Sequence, residues 1–266
     1  MMTAVMTALK RLYMTLFALY LIGPIIVITA VSFNAQKFIA FPPRGFSLRW
    51  YAAIFTEADW FGALVNSLII AAASALLATA IALPVAYMAW RYGLRYARAL
   101  FALGIAPFIL PPVIMALAFL IFFSSAGVNG LMINVIIAHA IFLLALPLVT
   151  ISLGLESIDK ALIEASQTMG ATGWTVFRTI IAPIAAPFAL AGFAFCFVLS
   201  LNEYIIALMT VGFTVETLPV KIFNALRYGY TPVIASIAVL FLSVNIAVFS
   251  LIARFSNLAR ILGAMD

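Results

Sequence analysis

Six apolar runs constrain this chain more than any motif does: residues 12–33, 63–90, 99–123, 131–153, 182–210 and 233–254. Each reaches the roughly 20 residues that an α-helix needs to cross the hydrocarbon core of a bilayer. Backbone polar groups inside lipid must be satisfied within the segment itself, so runs of this length predict helices. Composition agrees, with 67% of the 266 residues hydrophobic and 8% charged, against roughly 25% charged in an ordinary soluble domain. The expectation is an all-α membrane protein with six transmembrane helices, forming a single transmembrane domain over residues 1–266. The first run follows Lys10 and Arg11 and exceeds the apolar stretch of a cleaved signal, so it reads as a retained helix.

Lys and Arg in the loops set the orientation. With the N-terminus in the cytoplasm, that side holds Lys10, Arg11, Arg91, Arg95, Arg98, Lys160, Arg178, Arg254 and Arg260, and the opposite side holds Lys37, Arg44, Arg49, Lys221 and Arg227. The bias predicts both termini and the segment 155–181 in the cytoplasm. It also accounts for the net charge of +6 without nucleic acid as a partner. One cysteine, Cys196, excludes an internal disulfide.

The longest moderately polar stretch is Glu164–Pro183. Glycine inside a helical pattern favours a turn, so Gly170 and Gly173 predict a short helix, a turn, and a second helix entering the bilayer. Outside the membrane, Trp50, Tyr51, Trp60 and Phe61 suit an interface. Residues 34–62 there are either a helix lying on the bilayer or a partner-facing loop. Residues 212–232, bounded by Pro219 and Pro232, fit a short amphipathic helix. Prolines at 24, 84, 107, 111, 112, 147 and 187 fall within the apolar runs. They fit a kinked, moving bundle with an internal cavity, or ordinary proline usage in membrane helices.

Ionisable groups at membrane depth usually face the bundle interior. Glu203, in Ser200-Leu-Asn-Glu-Tyr204, is the one acid that qualifies, and Ser200 three residues earlier shares its helix face. It lines a pathway for a cationic or hydrogen-bonding substrate, or it pairs with a loop arginine such as Arg227. His139 is the only histidine. It has no companion ligands for a metal site, and an interhelical hydrogen bond is expected of it. Asn66, Asn129, Asn134 and Asn245 are candidates for similar contacts. The chain has no Gly-rich phosphate loop ending in Gly-Lys-Ser or Gly-Lys-Thr, no HExxH and no GxSxG. An intramembrane enzyme would need a paired catalytic set that is missing. An ion-coupled secondary transporter would need several intramembrane acids.

The run Glu164-Ala-Ser166, three residues, Gly170, nine residues, Ile180-Ile-Ala-Pro183 resembles the EAA loop of ABC importer permeases. Ser166 and Ala182 depart from the family's alanine and leucine. Ser32-Phe-Asn34, Gly45-Phe-Ser-Leu-Arg-Trp-Tyr51, Arg91-Tyr-Gly-Leu-Arg95, Ser200-Leu-Asn-Glu203 and Thr217-Leu-Pro-Val-Lys-Ile222 resemble the second permease subunit of spermidine/putrescine importers. Asn202 stands where close polyamine members carry a second acid.

The resemblance implies a type I ABC importer permease fold in the bacterial inner membrane, with six spans. It implies an ATPase-coupling set of Glu164, Ala165, Ser166, Gly170, Ala171, Ile180 and Pro183, with Glu164 capping or pairing within the docking helix. It implies a substrate pathway passing Ser200, Asn202, Glu203 and Tyr204. The implied partners are two copies of an ATP-binding subunit carrying ATP and Mg²⁺, a second homologous permease in a heterodimer, and a periplasmic solute-binding protein. No cofactor or metal is expected in this chain itself. Polyamine is the implied substrate, with amino-acid-like, opine or metal substrates in the same class.

Overall fold

The computed structural model describes residues 2–212, 214–228 and 231–255. Arg260, used above for orientation, lies outside them. In chain order the helices are α1 (Met2–Ser32), α2 (Arg49–Thr56), α3 (Ala58–Tyr92), α4 (Arg95–Ile109), α5 (Pro112–Ser125), α6 (Met132–Leu143), α7 (Ala145–Glu156), α8 (Lys160–Thr168) and α9 (Gly173–Val176). They continue with a short π-helical stretch (Phe177–Ile181), α10 (Ala182–Asn202), α11 (Ile205–Val211), α12 (Leu218–Tyr228) and α13 (Val233–Phe255). Among the described residues there is no strand, only one isolated antiparallel bridge between Asn34 and Phe46.

Four helical stretches are long and apolar enough to cross a bilayer alone: Met6–Ser32, Ala58–Tyr92, Gly173–Asn202 and Val233–Ile252. The third and fourth apolar runs, expected as one helix each, are helix pairs. α4 and α5 meet at 110°, and α6 and α7 at 45°. Counting each pair as one crossing gives six. Pro24, Pro84, Pro107 and Pro187 lie inside helices, whereas Pro111-Pro112 ends one. The residue before a proline is pushed into extended backbone. Two successive prolines impose this on both Leu110 (φ −79°, ψ 146°) and Pro111 (φ −56°, ψ 136°). One such residue is absorbed by a kink, but two in a row turn the chain. At the milder bend, Pro147 withholds the backbone bond that the carbonyl of Leu143 would otherwise receive.

The chain divides into two compact units. One gathers Met1–Phe61 and Ile222–Val244. In it Asn34 ties a loop together, its Oδ1 accepting from the backbone N–H of Gln36 and of Arg44. The Trp50 indole donates to the Asn34 carbonyl at 2.7 Å, and Phe33 stacks on Phe46 at 5.0 Å. The expected helix beside Trp50 is α2. Ser236 Oγ on α13 donates to the Ser32 carbonyl at 3.2 Å.

The other unit runs over Gly62–Lys221 and resumes at Asn245. Its core is layered along the bundle. Ala75, Ala78, Phe119, Phe123, Ala138, Phe142, Cys196 and Ile206 form one layer. Ala82, Ala86, Leu148, Ile151, Leu155, Ile163, Val176 and Ile181 form another. Small residues let backbones approach where lipid supplies no hydrophobic drive between helices. A Cβ on Gly154 would meet the Phe188 ring at 2.7 Å, so α7 and α10 pack at a distance that only glycine allows. Side-chain amides and hydroxyls bridge elements here too. Asn66 Nδ2 donates to the Glu216 carbonyl at 3.0 Å, and Ser74 Oγ to the Ile136 carbonyl at 3.1 Å. Asn134 Nδ2 donates to the Val128 carbonyl within the adjoining loop, while Asn245 Oδ1 is buried without a hydrogen-bond partner.

Candidate coupling element and the break in the fifth span

The expected helix–turn–helix is present between α7 and α10. Asp159 caps α8, its Oδ1 accepting from the Ala161 N–H at 2.9 Å. Glu164 lies in the middle of α8 and is exposed, so the cap expected of it belongs to Asp159. A cap must precede the first helical residue, and Glu164 comes four residues after it. Gly170 adopts φ +85°, a left-handed conformation that costs glycine nothing. The Ala171 N–H reaches the Ser166 carbonyl and the Gly170 N–H reaches that of Gln167, both at 3.0 Å. This is the paired closure of a Schellman motif. Thr172 then caps α9 by accepting from the Thr175 N–H at 3.3 Å.

The element has two faces. Ile163, Val176 and Ile181 are buried in the same core layer as Leu148, Ile151 and Leu155. On the other side Leu162, Glu164, Ala165, Gly170 and Pro183 are exposed, with Met169 at 83% and Trp174 at 67%. Ser166, Ala171 and Ile180 are half-buried, and Ser166 Oγ donates to the Ile163 carbonyl at 2.7 Å. The implied coupling residues therefore form one continuous element rooted in the base of α7 and α10. Beside it lies a cleft of about 770 Å³, lined by Tyr87, Arg91, Leu155, Trp174 and Phe177 among others. The Phe177 ring meets Tyr87 edge-on at 5.5 Å and stacks on Trp174 at 5.6 Å.

The fifth span starts earlier than expected, at Gly173, and breaks at its far end. α10 stops at Asn202, Glu203 is extended (φ −78°, ψ 127°), and α11 begins at Ile205. A helix start leaves backbone N–H groups without partners, and in hydrocarbon each costs several kcal/mol. The Glu203 carboxylate accepts from three of them: Ile205 N–H on Oε1 at 3.0 Å, and Ile206 and Ala207 N–H on Oε2 at 2.9 and 3.3 Å.

His139 on α6 completes this site. Its Nε2 lies 3.2 Å from Glu203 Oε2, at ion-pair distance but without hydrogen-bond alignment. Its Nδ1 is 2.8 Å from Ser200 Oγ, the interhelical hydrogen bond expected of the lone histidine. His139 is 1% exposed, Ser200 4% and the Glu203 side chain 10%. Of the other two expected pathway residues, Asn202 is exposed and donates to the Val198 carbonyl of its own helix at 2.7 Å, and Tyr204 is half-buried at the break. The structure thus unites Ser200 and Glu203 on a partner 61 residues from Ser200, a pairing that only the tertiary fold produces. The one trace of it in the sequence is that an acid and a histidine both lie inside apolar runs. Among the described residues no three His, Cys, Asp or Glu side chains converge as metal ligands.

Residues 82–260 match the family described as binding-protein-dependent transport system inner membrane component. The spermidine/putrescine transport system permease protein PotC of Haemophilus influenzae is 29% identical over 94% of this chain and 98% of its own length. The putrescine transport system permease protein PotI of Escherichia coli K12 is 31% identical over 84% of this chain and 82% of its own. Among solved structures, a bacterial ABC transporter that imports the acidic polysaccharide alginate superposes with TM-score 0.69 at 17% identity, covering 95% of this chain and 96% of that one. The inward-facing MetNI methionine ABC transporter gives TM-score 0.62 at 18% identity, covering 79% of this chain and all of that one. The family match spans more than half of the sequence and the helices follow the type I importer permease fold, so the chain belongs to the binding-protein-dependent transport system inner-membrane components, as a multi-pass ABC permease subunit.

Proposed function

We propose that this chain is half of the transmembrane pathway of an ATP-driven importer for a small polyamine, with the Glu164–Pro183 element as its docking knob for a separate ATP-binding subunit. The observation that carries the reading is the two-sided geometry of that element. Exposed Met169, Trp174 and Leu162 offer an apolar contact surface beside Glu164. On the opposite side Ile163, Val176 and Ile181 tie it to the base of the fifth span. A push on the outer face is thereby passed to α10 as a nearly rigid displacement, the two-state form that coupling between distant sites requires.

In this reading the element faces the cytoplasm, as the Lys and Arg bias predicts. Two ATP-binding subunits hold ATP and Mg²⁺, a second homologous permease forms the other half of the pathway, and a periplasmic binding protein delivers substrate. The segment Ser200–Tyr204 forms part of the pathway wall. The polyamine assignment is supported by relatives whose names specify spermidine/putrescine and putrescine transport. The test is co-purification and transport. A tagged chain expressed with the proteins encoded beside it is expected to bring down an ATPase. Proteoliposomes of the complex should accumulate putrescine only with ATP and binding protein. Uptake by the chain alone, driven by a proton gradient, would overturn the reading.

A further inference from the structure

We propose that Glu203 is a positioning residue: together with His139 and Ser200 it holds the break in the fifth span, and it is not the counter-ion that recognises a cationic substrate. This rests on the reading of the chain as a permease and concerns the one acid that its pathway segment carries.

A carboxylate offers about four acceptor sites on its two oxygens. At Glu203, three backbone N–H groups of α11 take three of them, and the remaining side of the carboxylate faces the His139 ring at 3.2 Å. The side chain is only 10% exposed and its remaining side is walled by His139, so a substrate ammonium finds little acceptor capacity and little surface to approach. The geometry is also directional. A neutral imidazole has one donor and one acceptor nitrogen. With Nε2 facing an acceptor-only carboxylate, the proton belongs on Nε2, and Nδ1 accepts from the Ser200 hydroxyl.

Ser200 lies in the last turn of α10, Glu203 is the extended residue after that helix, and His139 is on α6. The three side chains therefore join the end of α10, the start of α11 and the middle of α6 at one point. Removing the carboxylate frees three backbone donors inside the bundle and unclamps the two halves of the span. The effect falls on the rate of the conformational cycle, and affinity for substrate is left alone.

His139 is the only histidine in the chain, so ¹⁵N-histidine labelling reads this site without interference. In the labelled full chain in nanodiscs, Glu203→Gln is expected to move the His139 Nε2 resonance and Ser200→Ala the Nδ1 resonance. An Nε2 signal unmoved by Glu203→Gln overturns the proposal.

The second arm is ATP-driven putrescine uptake by the reconstituted importer. Glu203→Gln is expected to lower the maximal rate fivefold or more while leaving the half-saturating putrescine concentration within twofold. Glu203→Asp, which keeps the carboxylate, is expected to recover part of the rate. A half-saturating concentration raised tenfold or more at an unchanged maximal rate would make Glu203 a counter-ion and overturn the proposal. If the wild type takes up no putrescine with ATP, the importer or polyamine reading fails, and the histidine spectra still decide the role of Glu203.

Discussion

Gly192 on α10 meets Pro147 on α7 backbone to side: a Cβ at position 192 would stand 2.6 Å from Pro147 Cα and would also collide with Thr150 Oγ1. Pro147 Cα is main chain and cannot swing aside, so any larger residue must push the two helices apart. Overpacking of this kind costs about 1–3 kcal/mol. Gly192→Val is expected to lower the thermal midpoint of the detergent-solubilised chain, measured by loss of the monodisperse peak after heating. Gly23→Ala, where a Cβ meets nothing within 4 Å, is the matched control and should leave the midpoint unchanged.

Gly170 separates backbone strain from steric clash. It has φ +85°, and a Cβ there would meet nothing within 4 Å. The cost of Gly170→Ala is therefore conformational, about 1–2 kcal/mol, and Gly170→Asn should cost less because Asn tolerates the left-handed region. In the importer reading, Gly170→Val should weaken co-purification of the ATPase while the α10 core keeps its fold. The check is a pull-down beside a circular-dichroism spectrum, and equal pull-down by Val and Gly would contradict it.

Asp159 and Glu164 are both acids on the coupling element, and they should behave oppositely. Asp159→Ala removes the cap of α8 and is expected to cost about 1 kcal/mol, read as a lower thermal midpoint. Glu164→Ala removes an exposed side chain in mid-helix and should leave the midpoint within experimental error. Its expected effect is on association with the ATP-binding subunit. A large stability loss at Glu164 would mean that it is anchored in a way its exposure does not indicate.

What was legible in the chain, and what was not, follows from whether the cause is local. The long helices α1, α3 and α13 follow from apolar length alone. The coupling element follows from Gly170, whose left-handed turn needs no tertiary partner. The spacing puts Ser200 and Glu203 on one helix face, but Glu203 is the extended residue after α10, and the two meet the same histidine across the end of the helix. The 110° turn between α4 and α5 is not legible in the proline pattern alone, because four other prolines sit inside unbroken helices. Only the doubled restriction on Leu110 and Pro111 distinguishes this pair. The stop after Asn202 has no breaker residue at all. Glu203 makes it tolerable by accepting from the first backbone N–H groups of α11, and only the contact with His139 needs α6 to be brought alongside. The family resemblance pointed to Glu164 and the fifth span as sites, but it did not assign the cap to Asp159 or the carboxylate of Glu203 to backbone amides.

Cys196 provides the last prediction through its inertness. It is the only cysteine and is buried in the core layer with Ala138 and Phe142, so the native chain should react with an impermeant maleimide only after unfolding. A cysteine introduced by Met169→Cys replaces a side chain that is 83% exposed, and it should label to completion in the isolated chain. Once the ATP-binding subunits are assembled, labelling at 169 is expected to slow at least tenfold, because the knob would sit in their groove. Lys37→Cys, on a loop far from the element in sequence and expected from the Lys and Arg bias to lie on the opposite side of the membrane, serves as the control. Its labelling should be indifferent to the ATP-binding subunits, and in sealed, right-side-out vesicles it should be the position that an impermeant reagent reaches. Protection at 37 with none at 169 would reverse the orientation and remove the coupling role from the Glu164–Pro183 element.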